Sequence, residues 1–143
     1  MATRSTIAVQ HTDGSVSQIY SHWDGYVSHH GPLLRDYYGT LDLAEALVAL
    51  GALSSLQESI TPTLSTHSFD SPEDGQTVFY GRDRGDEGVG SEKFSSIEEY
   101  IAKGRSEGYE YLFSDGEWKV CLYFGDTNLF HTIADALKLE AAR

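Results

Sequence analysis

Glu110-Tyr111-Leu112-Phe113-Ser114-Asp115-Gly116-Glu117-Trp118-Lys119-Val120-Cys121-Leu122-Tyr123-Phe124 reads as two extended arms folded about an Asp-Gly turn. Asp-Gly accepts the left-handed backbone angles of a tight hairpin, and β-branched and aromatic residues suit the pleated arms. The second arm is apolar on both faces, which predicts a strand lying centrally in a sheet. A second hairpin stands near the start of the chain. Ile7 to His11 alternates, Asp13-Gly14 carries the type I′ signal, and Val16 to Tyr20 resumes extended character.

Helical periodicity fills the space between these hairpins. Gly31-Pro32 predicts a helix start, with Leu33, Leu34, Tyr37 and Tyr38 at helical spacing and Gly39 as its stop. Thr40 is the expected cap of a second helix through Leu41, Ala44, Leu47, Val48 and Leu50, with Leu53 and Leu56 carrying its apolar face into a turn. Residues 57–76 read as loop, Thr77 to Tyr80 as a short strand, and Gly81 to Gly90 as a mobile surface loop. Ser95 or Ser96 caps a helix containing Ile97, Tyr100 and Ile101, and Thr127 or Asn128 starts a closing one through Phe130, Ile133, Ala134 and Leu137. The expected architecture is a single α+β domain over residues 1–143. It holds an antiparallel sheet of about five strands with about four helices packed on it.

The chain has 143 residues, a net charge of -12 and one cysteine. Such acidity repels phosphate backbones, excludes ordinary nucleic-acid binding and suits docking to a basic protein surface. The lone Cys121 fits a reducing compartment and, within an apolar strand, is shielded from nucleophilic chemistry. No run is long and apolar enough for a signal peptide or a membrane span, so a cytoplasmic protein is expected.

Tyr20-Ser21-His22-Trp23-Asp24-Gly25-Tyr26, followed by His29 and His30, concentrates polar-tipped aromatics at the end of a predicted strand. Residues of this kind build a binding surface or a hydrogen-bonded structural corner. The histidines lack recognised ligand spacing, so neither metal nor other cofactor is expected. No nucleophile elbow or Walker pattern is present, and a catalytic reading rests on His22 and Asp24 alone. Tyr80-Gly81-Arg82-Asp83-Arg84-Gly85 is the second unusual segment. Arg82 and Arg84 either grip an anion or pair with Asp24, Asp83 or Asp86. The two segments are expected side by side, with a guanidinium against Asp24, Trp23 or Tyr26.

Together with Ala2 to Ile7, Gly51 to Leu56 and His67-Ser68-Phe69-Asp70, these two motifs resemble a family of small, uncharacterised proteins encoded by bacteriophages and prophages. The likeness covers roughly the first ninety residues and extends loosely to the second hairpin; several members carry cysteine in the place of Ser21. It implies a phage context and no particular chemistry. The expected function is non-enzymatic binding and inhibition of a host antiviral defence component, such as a CRISPR effector or a nucleotide-signalling immune protein. The binding residues would be His22, Trp23, Asp24, Tyr26, Arg82, Asp83 and Arg84. One alternative is sequestration of a nucleotide-like small ligand by the same residues. Another is a hydrolytic or nucleotide-modifying enzyme using His22 and Asp24.

Overall fold

The structure, a computed structural model, describes residues 2–104, 108–125 and 128–143. Its frame is the pair of hairpins. Ser5–Gln10 (β1) pairs antiparallel with Val16–Ser21 (β2), and Tyr109–Ser114 (β6) pairs antiparallel with Glu117–Cys121 (β7). At the second turn Asp115 and Gly116 both take positive φ, 53° and 80°, as a two-residue type I′ loop demands. The first turn differs from the expected type. Gln10 pairs with Val16 and His11 N–H donates to Ser15 O at 2.8 Å, which leaves Thr12, Asp13 and Gly14 as a three-residue loop, one longer than expected, in which Gly14 alone is left-handed.

The hairpins join through a parallel pairing of β1 with β6, and β2 pairs parallel with Leu53–Ser55 (β3). The sheet is therefore mixed, with strand order β4-β3-β2-β1-β6-β7-β8. Val78–Phe79 forms β4, Phe130–Thr132 forms β8, and Glu92–Phe94 (β5) pairs with the first half of β2. Eight strands stand where five antiparallel ones were expected. The unpredicted strands, β3, β5 and β8, have three residues each, too few to show alternation. Two of them exist because β2 offers its outer edge, to β5 at one end and to β3 at the other. β7 is interior, but β1 and β6 hold the centre. All six residues of β6 are buried.

Both faces of the sheet are covered. One carries Ile7, Val9, Ile19, Tyr111, Phe113 and Val120 against Val27–Tyr37 (α1), Leu41–Ala49 (α2) and Ile133–Ala141 (α5). The other packs Ala8, Val16 and Leu112 against Phe94 and against Tyr100 of Ile97–Lys103 (α4). Thr40, Ser96 and Thr132 cap α2, α4 and α5, each accepting a backbone N–H from three residues on. Two of these caps agree with expectation. The closing helix instead starts after β8 with Thr132 as its cap; Thr127 lies outside the described residues.

Two further departures matter for the site. α1 begins at Val27, so Pro32 sits inside it, and Tyr26 at its N-cap contributes no side-chain hydrogen bond. The Glu140 carboxylate of α5 replaces that cap, accepting from Val27 N–H (2.8 Å) and Ser28 N–H (3.0 Å). Residues Tyr80–Arg84, where a strand end at Tyr80 and then a loop were expected, form a fifth helix (α3). Its entry is fixed by Asp83, which accepts from Phe79 N–H at 2.8 Å.

Candidate functional site

The segment after β2 continues alongside β3. His22 N–H donates to Leu53 O at 3.2 Å and Trp23 N–H to Ser54 O at 3.0 Å. Asp24 then turns the chain with φ +59°, and Gly25 N–H donates to Thr3 O at 2.8 Å. Gly25 is fixed by close approach: a Cβ there would stand 2.7 Å from Ser5 Cβ and 2.8 Å from Thr3 O. Tyr111 Oη–H closes the corner by donating to Gly25 O at 2.7 Å. The backbone beneath the aromatic residues is thus pinned from β3, from β6 and from Thr3, just ahead of β1.

On this support Tyr20, Trp23 and Tyr26 remain 38%, 42% and 37% exposed. Tyr20 Oη and His22 Nδ1 are 2.6 Å apart, and the His22 ring meets Trp23 edge-on with centroids separated by 4.6 Å. His22 is therefore engaged with aromatic neighbours rather than with Asp24. Among the described residues the Trp23 indole N–H and the Asp24 carboxylate have no hydrogen-bond partner. Below the surface lies a polar relay. Ser21 Oγ is 2.8 Å from His30 Nε2, and His30 Nδ1 is 2.9 Å from His29 Nδ1. Burial, with His29 beside it, pushes the His30 pKa down to about 3, so the ring is neutral. One ring proton must then serve two contacts, and whichever nitrogen carries it, the partner at the other donates.

Arg82, Asp83 and Arg84 do not join this corner. β2 runs parallel to β3, whereas β4 runs antiparallel to it, with Ser21, Leu53 and Phe79 in one row. From that row the chain leaves β2 past Ser54, but leaves β4 past Ala52 through the Tyr80 N–H. The two motifs thus depart in opposite directions along the strands: Tyr80 stays close enough to act on the Tyr20 hydroxyl, but among the described residues neither guanidinium makes the expected contact with Asp24, Trp23 or Tyr26. Arg82 donates to Asp83 through Nε (2.9 Å) and Nη2 (3.2 Å), to Ile60 O and Thr77 O, and lies over Phe79. Burial would raise the Asp83 pKa, but the Arg82 hydrogen bonds, the Phe79 N–H and His67 hold it below the usual carboxylate value. Arg84 is bidentate to Asp86 and stacks on Phe69 and Tyr80. This segment secures the 57–76 loop to the sheet edge.

A third constellation escaped sequence reading because its members are remote. His11 Nδ1 is 2.5 Å from Glu45 Oε2, and His11 Nε2 is 2.8 Å from Ser17 Oγ. A hydroxyl, an imidazole and a carboxylate in series have the linkage of a nucleophilic triad. Ser17, however, is only 5% exposed and does not line the adjoining cavity of about 630 Å³, which His11 does line. The series clasps α2 onto the first hairpin. Among the described residues no group of three His, Cys, Asp or Glu side chains could hold a metal ion, and no helix is long and apolar enough to cross a membrane. No family model, curated protein or solved structure matches the chain.

Proposed function

We propose that this chain is a non-enzymatic binding protein that docks on a protein partner through the corner of Tyr20, His22, Trp23 and Tyr26. The observation that carries the reading is the exposure of three aromatic side chains on a backbone pinned by hydrogen bonds to β3, β6 and Thr3. Interfaces draw their energy from a few aromatic anchors buried on association, and a pinned corner has little conformational entropy left to lose. The unpaired Trp23 N–H supplies a directional donor for the partner. The net charge of -12 suits a basic target surface and would speed encounter with it.

The resemblance to phage-encoded proteins gives the finer reading: a host protein as target, and inhibition of an antiviral complex such as a CRISPR effector or a nucleotide-signalling immune protein. Arg82, Asp83 and Arg84 leave the binding set, because their charges are paired within the molecule. The test is affinity capture from host lysate with the natural chain and with Trp23→Ala in parallel, followed by titration of the purified target. Trp23→Ala should weaken the complex by about 2 kcal/mol or more. The same change should cost only about 1 kcal/mol of folding stability, as befits a half-exposed side chain. A captured protein that binds both chains equally would refute the docking corner.

A further inference from the structure

We propose that the cleft lined by Arg4, Tyr26, Tyr109 and Tyr123 binds a small anionic ligand carrying a planar ring, of mononucleotide size. It lies where the segment before β1, the N-cap of α1, the start of β6 and the segment after β7 meet, encloses about 600 Å³, and is also lined by Ala2, Thr3 and Gly108. That volume is ordinary for a small-molecule site. The proposal goes beyond the protein-docking reading and does not rest on it, although Tyr26 borders both surfaces.

Charge is the first argument. Arg35, Arg82 and Arg84 are each neutralised by a neighbouring aspartate, Asp36, Asp83 and Asp86. Arg4 and Arg143 are the arginines that, among the described residues, form no ion pair with a carboxylate. One lines this cleft and the other touches a lining residue. Arg4 lines it, and Arg143 lies over the Tyr123 and Phe124 rings, with its carbon 5.0 Å and 4.2 Å from their centroids, and donates to Tyr123 Oη. On a chain with 22 acidic residues, Arg143 held over rings and Arg4 set beside the Tyr20 hydroxyl, neither of them salt-bridged to a carboxylate, make a local site for an anion. The Glu140 carboxylate, whose charge also reaches Arg143, is already engaged. It accepts from Val27 N–H, Ser28 N–H and Tyr109 Oη–H, so its charge is committed to the N-terminus of α1.

The rings supply the second argument. Tyr109 is 4% exposed and meets Tyr123 edge-on at 5.2 Å, forming a fixed floor, whereas Tyr26 and Tyr123 are 37% and 48% exposed. A planar base can stack on either exposed ring while a phosphate reaches the guanidinium groups. A cationic ligand of the same size would be repelled by Arg4 and Arg143.

The test is isothermal titration of the full chain with AMP, GMP, CMP and UMP, beside adenosine, guanosine and inorganic phosphate as separate arms. At least one mononucleotide should bind with Kd below about 1 mM, and its nucleoside and inorganic phosphate should each bind at least about tenfold more weakly. Arg4→Ala and Tyr123→Leu should each weaken that nucleotide by about tenfold or more with an unchanged thermal melt; both side chains are largely exposed. Absence of binding by all four nucleotides, phosphate binding as tight as nucleotide binding, or affinity unmoved by Arg4→Ala would overturn the proposal. Trp23→Ala, which should weaken protein docking, should leave nucleotide affinity unchanged, so the two readings fail separately.

Discussion

His30 shows how one buried residue can be legible as chemistry and illegible as structure. Its place in a histidine-rich stretch marks it as notable, but only the fold shows it fully buried against Ser21 Oγ with its pKa depressed to about 3. In the unfolded chain the same imidazole titrates near 6.5. Between these two values the unfolded state binds the extra proton, so stability rises with pH there and is lost as pH falls. This contribution is complete above the unfolded value. Urea midpoints of the natural chain should therefore fall from pH 7 towards pH 4, by up to about 1.4 kcal/mol per pH unit from this group. His30→Gln, which cannot titrate, should flatten that slope even if it lowers stability overall. An identical slope in both chains would show that His30 is not the group responsible. Asp83, held low by Arg82, loses its contribution only below the ordinary carboxylate range, outside this window.

At the scale of elements, what the sequence disclosed is what local chemistry encodes. Asp115-Gly116, the Thr40 and Ser96 caps and the 41–50 periodicity are complete signals within a few residues. The start of α1 is not, because its cap arrives from Glu140, over a hundred residues away in sequence. Gly31-Pro32 therefore offered a plausible start one turn too late. Glu140→Gln preserves shape but removes the charge that answers two orphan N–H groups, and should cost about 1–2 kcal/mol of stability. Amide exchange at Val27 and Ser28 should accelerate selectively. Unchanged protection at those two amides would deny Glu140 its capping role. The three-residue strands teach the same lesson from the other side, since β3 and β5 are set by the free edge of β2 rather than by their own residues.

Across the whole molecule, the decisive fact hidden from the sequence is the sense in which β2 and β4 flank β3. Both motifs were visible, and each stands beside a strand end as read, but strand direction sends them apart. β2 and β4 are separated by two strand spacings, about 10 Å, and their continuations diverge from there. Substitutions so separated, with no shared partner, are expected to act independently. Arg82→Ala leaves the buried Asp83 carboxylate without its bidentate donor and, discounted for the partial exposure of Arg82, should cost about 1–3 kcal/mol of folding stability. It should leave partner affinity at the Trp23 corner unchanged, whereas Trp23→Ala should weaken the partner and cost only about 1 kcal/mol of stability. In the double variant the stability losses should add to within about 0.5 kcal/mol, as chemical denaturation of all four chains would show. A coupling above about 1 kcal/mol would mean that β3 transmits strain between the two corners, and that the arginine-rich segment belongs to the binding machinery after all.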